Sequence, residues 1–213
     1  GKIFPMLIVF SLPLIGSSVL QLLFNAADVI VVGRFAGAEN LAAVGSTSAL
    51  TNLLVNLFIG LSIGTNVVTA HYYGAHREKE VSDVVHTSIL ISIIGGVLLS
   101  VIGIIFARPL LELMGTPENV IDYSVLYMRI YFLGMPVMML YNFGSAILKA
   151  VGDTRRPLYY LTLAGVINVI FNLIFVIVFH MGVAGVAIAT VISQAVSTFL
   201  VLRSLMKSDS MIK

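Results

Sequence analysis

Six long, almost uncharged stretches decide what this chain can become: 3–33, 41–70, 84–107, 120–148, 158–179 and 182–202. A helix needs about 20 apolar residues to cross the hydrocarbon of a bilayer, and each stretch is long enough. No stretch sustains the strict alternation of a membrane-barrel strand. The predicted fold is therefore an all-α membrane protein, a bundle of six transmembrane helices held in the lipid bilayer. Composition agrees, since 59% of residues are apolar and 10% charged, whereas soluble domains run near 25% charged. An ordinary water-soluble enzyme is excluded, as is a disordered chain. A net charge of +2, spread along the chain, gives no footprint for nucleic acid. Cysteine is absent, which excludes disulfides, thiolate metal sites and a Cys nucleophile. The first stretch is too long for a cleavable signal peptide.

Basic residues set the expected orientation. Lys2, Arg77, Lys79, Lys149, Arg155, Arg156, Arg203, Lys207 and Lys213 share one side of a six-span topology, against Arg34 and Arg108 on the other. Cytoplasmic loops carry the Lys/Arg excess, so both termini are expected in the cytoplasm. At Thr116-Pro117-Glu118, Thr suits an N-cap, Pro the first helical position and Glu the positive helix end. Gly152-Asp153-Thr154 and Gly182-Val183-Ala184-Gly185 read as turns.

Polar residues at membrane depth carry the functional signal, because hydrocarbon penalises any that lack partners. Asp28 is the one acid deep in an otherwise apolar span, and Gln21, Asn25 and Asp28 share a helical face. Asn168 and Asn172 lie one turn apart in the fifth span, and Thr190, Gln194 and Ser197 repeat the spacing in the sixth. Helical rise puts Asn172 and Thr190 roughly 12 Å inside their span ends, near the depth of Asp28. If the first, fifth and sixth spans are neighbours, a carboxylate, two carboxamides and a hydroxyl converge. Such oxygen donors suit a hard cation, and the same carboxyl can take a proton instead.

Other features read more plainly. Asn52 and Asn56 are expected to pack against neighbouring helices, as most polar pairs in membrane helices do. Arg129, in the fourth span, either snorkels or neutralises Asp28. Pro13 and Gly134-Met135-Pro136 should kink the first and fourth spans. Gly60-Leu61-Ser62-Ile63-Gly64 reads as a small-residue packing face. Met135, Met138, Met139 and Tyr141 line a cavity or fill a core. No phosphate loop, zinc-binding His-Glu-x-x-His or nucleophile elbow is present, so no enzyme is predicted. His71, His76 and His86 read as interfacial, not as a metal site, and His180 as a solvated helix end or a pH sensor.

Asn25-Ala-Ala-Asp28 with Val32-Gly33, Leu41-Ala-Ala-Val-Gly45, Ala146-Ile-Leu-Lys-Ala-Val-Gly-Asp-Thr-Arg-Arg-Pro157, and Asn168-x-x-x-Asn172 leading into Gly182-Val-Ala-Gly-Val-Ala-Ile-Ala-Thr190 occur in order. With them the chain resembles the N-terminal lobe of the multidrug and toxic-compound extrusion (MATE) transporters. The resemblance implies one six-helix lobe of a twelve-helix transporter, with the C-terminal lobe absent from this chain and supplied by a longer chain or a second subunit. It implies cation-coupled export of small organic, often cationic, drugs across the cell membrane. Sodium or protons would be the coupling ions, with no cofactor. The coupling site carried over is Asp28, Asn168, Asn172 and Thr190, with Pro13 as hinge and Gln21, Asn25 and Gln194 along the pathway. Some members have Asp where this chain has Asn172. Two other expectations stand beside this one: a lipid-linked oligosaccharide flippase of the same superfamily, and a truncated, non-transporting membrane subunit.

Overall fold

The computed structural model describes residues 1–207; Lys213, counted above among the basic residues, lies outside them. The described chain is helical throughout, without strands: α1 Ile3–Phe35, α2 Ala38–Gly74, α3 Glu78–Leu113, α4 Glu118–Leu133, α5 Met135–Ala150, α6 Arg155–Leu173 and α7 Val183–Lys207. Five helices are long and apolar enough to cross a membrane, and α4 with α5 makes a sixth crossing bent by 50°. Residue 1 and residue 207 consequently lie at the same end of the bundle, called here the terminal end.

The stretch 120–148 is thus two helices, not one continuous span. Pro136 has no N–H to offer the Phe132 carbonyl, and Gly134 closes the turn by donating to Tyr131 O at 3.0 Å. At the opposite end the start of α4 also differs from expectation. Pro117, not Thr116, occupies the N-cap, with an extended ψ of 145° and no side-chain cap. Thr116 instead finishes the preceding turn, donating its N–H to Leu111 O at 3.2 Å across Gly115, whose φ is +74°. The fifth span ends in a π-turn over Ile174–Val178 that sequence reading does not anticipate.

Lipid is as apolar as Leu, so membrane helices associate through close packing rather than hydrophobic burial. α3 shows how. Its buried face runs Ser88, Ser92, Gly96, Ser100, Gly103 and Ala107, a stripe of small residues one turn apart. The Pro136 backbone sits against Gly96 and the Phe132 ring against Gly103, each so closely that no Cβ would fit. The bend at Gly134 thereby seats both α4 and α5 on α3. The small-residue face expected at Gly60 and Gly64 is a correction: a Cβ at either would meet nothing within 4 Å. Gly60 is exposed and Gly64 borders an open groove between α2 and α3, and Ser62 spends its hydroxyl on Ile59 O at 2.8 Å. Met135, Met138 and Met139 are core residues, joined to Phe132, Phe143 and Val186.

Side chains tie the ends. Asn40 accepts from Val183 N at 3.1 Å and donates to Ala36 O at 2.7 Å, pinning the start of α7 to the start of α2. Thr154 donates to Phe10 O at 3.2 Å, fastening the turn before α6 to α1.

Candidate functional site

α1 lies along α6, and α6 along α7, so the three helices carrying the predicted polar residues are adjacent. The seam between α1 and α6 is built from three contacts. Gly16 faces Leu158, the Phe24 ring fills the space over Gly165, and Asp28 meets Asn172. The steps on α6 are seven residues each, two turns of one face. Gly165 is required because a Cβ there would overlap the Phe24 ring.

Above Phe24 opens a cavity of about 230 Å³ between α1, α2, α4, α6 and α7. Gln21, Asn25, Asp28, Asn168, Thr190 and Gln194 all line it. Asn172 is fully buried behind them, and its amide donates to Asp28 Oδ1. That hydrogen bond leaves Asn172 Oδ1 without a protein partner, and Asn168 Oδ1 is likewise buried and unpartnered. Buried carbonyl oxygens are seldom left unpaired. The hydroxyl of Thr190 donates to Val186 O at 3.0 Å, so only its lone pairs remain to offer. The arrangement presents one carboxylate, two amide oxygens and one hydroxyl oxygen, an acceptor-rich set suited to a bare cation or a proton donor. Among the described residues no three His, Asp or Glu side chains gather at any metal-sized site.

Several predicted residues lie elsewhere. Ser197 is a correction to the α7 polar line: it is buried and donates to Tyr160 O at 3.3 Å, bracing α7 on α6. Asn52 borders the cavity and Asn56 is exposed outside it; their expected packing role against a neighbouring helix is not seen among the described residues. Arg129 does not neutralise Asp28. It is exposed and donates through Nε to Ile104 O at 3.4 Å, on the α3 side of α4. Pro13 lies about four turns from Asp28 inside an unbroken α1, its carbonyl accepting from Ser17 at 3.0 Å. Lys149, assigned to a loop from sequence, is in the last turn of α5. Of the histidines, His71 stacks edge-on to Tyr72 and His86 bonds back to Ser82 O at 2.7 Å.

Sequence reading missed Tyr127 and Tyr131. Both are buried, stack with centroids 6.2 Å apart, and wall the cavity opposite α6. The signal was present: Ser124, Tyr127 and Tyr131 share one face of α4 at helical spacing, away from Arg129.

Comparison with known proteins decides the family. The MatE family model matches residues 13–174. The chain belongs to the MatE family. It is 38% identical over 197 residues to the probable multidrug resistance protein YoeA of Bacillus subtilis, covering 91% of this chain and 42% of that protein. It is 30% identical over 199 residues to YpnP of the same organism, another probable multidrug resistance protein, covering 92% of this chain and 44% of that one. A crystal structure of a MATE protein in the bent conformation superimposes with a TM-score of 0.90 at 28% identity, covering 97% of this chain and 46% of the other. The chain thus spans less than half the length of these MatE relatives, and its bundle corresponds to one lobe of the MATE architecture.

Proposed function

We propose that this bundle is the N-lobe of a cation-coupled multidrug exporter in the cell membrane, with both termini cytoplasmic. The observation that carries the reading is the Asp28–Asn172 pair beside a cavity lined by Asn168 and Thr190, with the amide oxygens of Asn168 and Asn172 buried and unpartnered. An intramembrane acid that faces a polar cavity rather than lipid marks an ion pathway. Sodium would replace the missing partners of the two amide oxygens; a proton would instead neutralise Asp28. Either event changes what α1 gains from lying against α6, because the seam's polar contact runs through that carboxylate. Ion entry then drives α1 to rearrange, with Pro13 as the weak point of its helix, and the cavity releases an organic, often cationic, drug. A second lobe opposite this one supplies the other wall needed for alternating access.

The flippase reading would need a cationic cavity for pyrophosphate, and no Lys or Arg lines the Asp28 cavity. The test is efflux of a fluorescent organic cation from proteoliposomes holding the intact protein, driven by a sodium or a proton gradient. Asp28→Asn keeps the shape and removes the charge. Gradient-driven efflux is expected to disappear in that variant while its membrane insertion is unchanged; efflux at the normal rate would overturn the reading.

A further inference from the structure

A second polar cavity, of about 270 Å³, lies nearer the terminal end, enclosed by α1, α2, α5 and α6. Ser17, Gln21, Asn66, Tyr141, Asn142 and Lys149 are in its wall, and Gln21 belongs to both cavities. Along α1, Ser17 and Asp28 are roughly 16 Å apart by helical rise, so the two cavities are successive stations and not one site. Their charge is opposite. Asp28 is the one charged residue lining the upper cavity, and Lys149 the one lining the lower, where no Asp or Glu is present among the described residues.

Lys149 is half-buried, and its ammonium takes part in none of the ion pairs of the described chain, which join Arg77, Arg108 and Arg156 to nearby acids. The neutral groups around it carry no charge to offset it, and several spend a donor within the bundle. Asn66 gives its amide to Ala146 O at 2.9 Å, Asn142 to Met138 O at 2.8 Å, and Ser17 its hydroxyl to Pro13 O at 3.0 Å. What remains is one cation with three donors, flanked by carboxamides that each keep an accepting oxygen and a second N–H. An uncompensated ammonium drawn into a bundle is costly without a counter-ion.

We infer that the lower cavity binds a small organic monoanion, a carboxylate or phosphate monoester on a body with O–H or N–H donors, through Lys149. A single lysine matches a single negative charge, and the amide oxygens receive the donors of the ligand body. Two sources present this chemistry, a soluble organic acid and the headgroup of an anionic phospholipid. Binding rests on the cavity alone; any part it plays in transport rests on the transport reading.

The test is lysine acetylation of the intact purified protein in detergent, followed by peptide mass spectrometry. The probes are 4-hydroxybenzoate, its neutral amide 4-hydroxybenzamide, and phosphatidylglycerol. At three times its dissociation constant a protecting ligand slows labelling about fourfold. That slowing is expected at Lys149 with 4-hydroxybenzoate, not with the amide, and not at Lys79. Protection by phosphatidylglycerol without protection by the benzoate assigns the anion to a lipid. Ser17→Leu, which fills the cavity from α1, is expected to abolish protection while Lys149 still reacts. Equal protection by the amide, no protection by either anion, or protection that survives Ser17→Leu overturns the inference. Asp28→Asn is expected to leave the protection intact, so failure of the ion-coupling reading and failure of this one are separately visible.

Discussion

α1 and α3 are equally apolar to the eye and are used in opposite ways. α3 buries a continuous stripe from Val81 to Leu111 against the bent α4–α5 pair, with backbone and ring pressed onto its glycines. α1, of similar length, buries only Val31 and Val32 and makes its longest contact along the seam with α6, with smaller ones to α2 and α7. That seam alternates a leucine on a glycine, a ring on a glycine, and a carboxylate on an amide. Close packing of small residues makes a rigid scaffold; a seam whose polar contact depends on the state of one acid makes an element that an ion can release. On the proposed coupling reading, the mechanical part of the molecule is α1 and its frame is α3, α4 and α5.

The largest expected effect tests the acid. Coupling free energies of about 1–3 kcal/mol correspond to about 5–150-fold changes, and Asp28→Asn is expected at the upper end, as lost gradient dependence of efflux. Next comes the frame. Gly96→Ala sets a methyl group against the Pro136 backbone, which has no rotamer to yield, and overpacking of this kind costs about 1–3 kcal/mol. The unfolding free energy of the intact protein should fall by about 3 kcal/mol, the top of that range, read as a lowered melting temperature. Gly165→Ala introduces the same methyl against the Phe24 ring, which rides on the loosely held α1. Its cost is expected near the bottom of that range, about 1 kcal/mol. Phe24→Ala in the same chain should recover most of the loss, since the obstruction is then gone. Equal costs at positions 96 and 165 would erase the distinction between frame and moving element.

Much of this was legible in the sequence because membrane burial leaves strong marks. Apolar length located the spans, and helical rise put Asn172 and Thr190 near the depth of Asp28, with Asn168 one turn away. The three-way adjacency that spacing alone left conditional is met by α1, α6 and α7. What stayed hidden depends on partners distant in sequence. Gly60 and Gly64 carry the same small-residue signature as Gly96 and Gly103, yet only the latter have a ring or a proline opposite them. Tyr127 and Tyr131 read as ordinary span residues because nothing in the spacing shows that their face borders the Asp28 cavity. Lys149 looked like a loop cation because its helix ends one residue later, at Ala150. Spacing reports which residues share a face, and says nothing of what the face meets.

The smallest expected effect returns to that pair of glycine stripes. Gly60→Ala and Gly64→Ala place a methyl group where nothing lies within 4 Å, and alanine is the better helix former by about 1 kcal/mol in water. On the described bundle alone, neither substitution should lower the melting temperature, and changes away from packed features stay within about 0.5 kcal/mol. The measurement therefore discriminates between two uses of the same motif. A loss at Gly64 as large as the loss at Gly96 would mean that another surface of the intact protein presses on α2 there, and that α2 belongs to the frame on both of its sides. A neutral result leaves α2 with one packed face, toward α4 and α5, and sets its two glycines apart from the tightly packed Gly96, Gly103, Gly144 and Gly165.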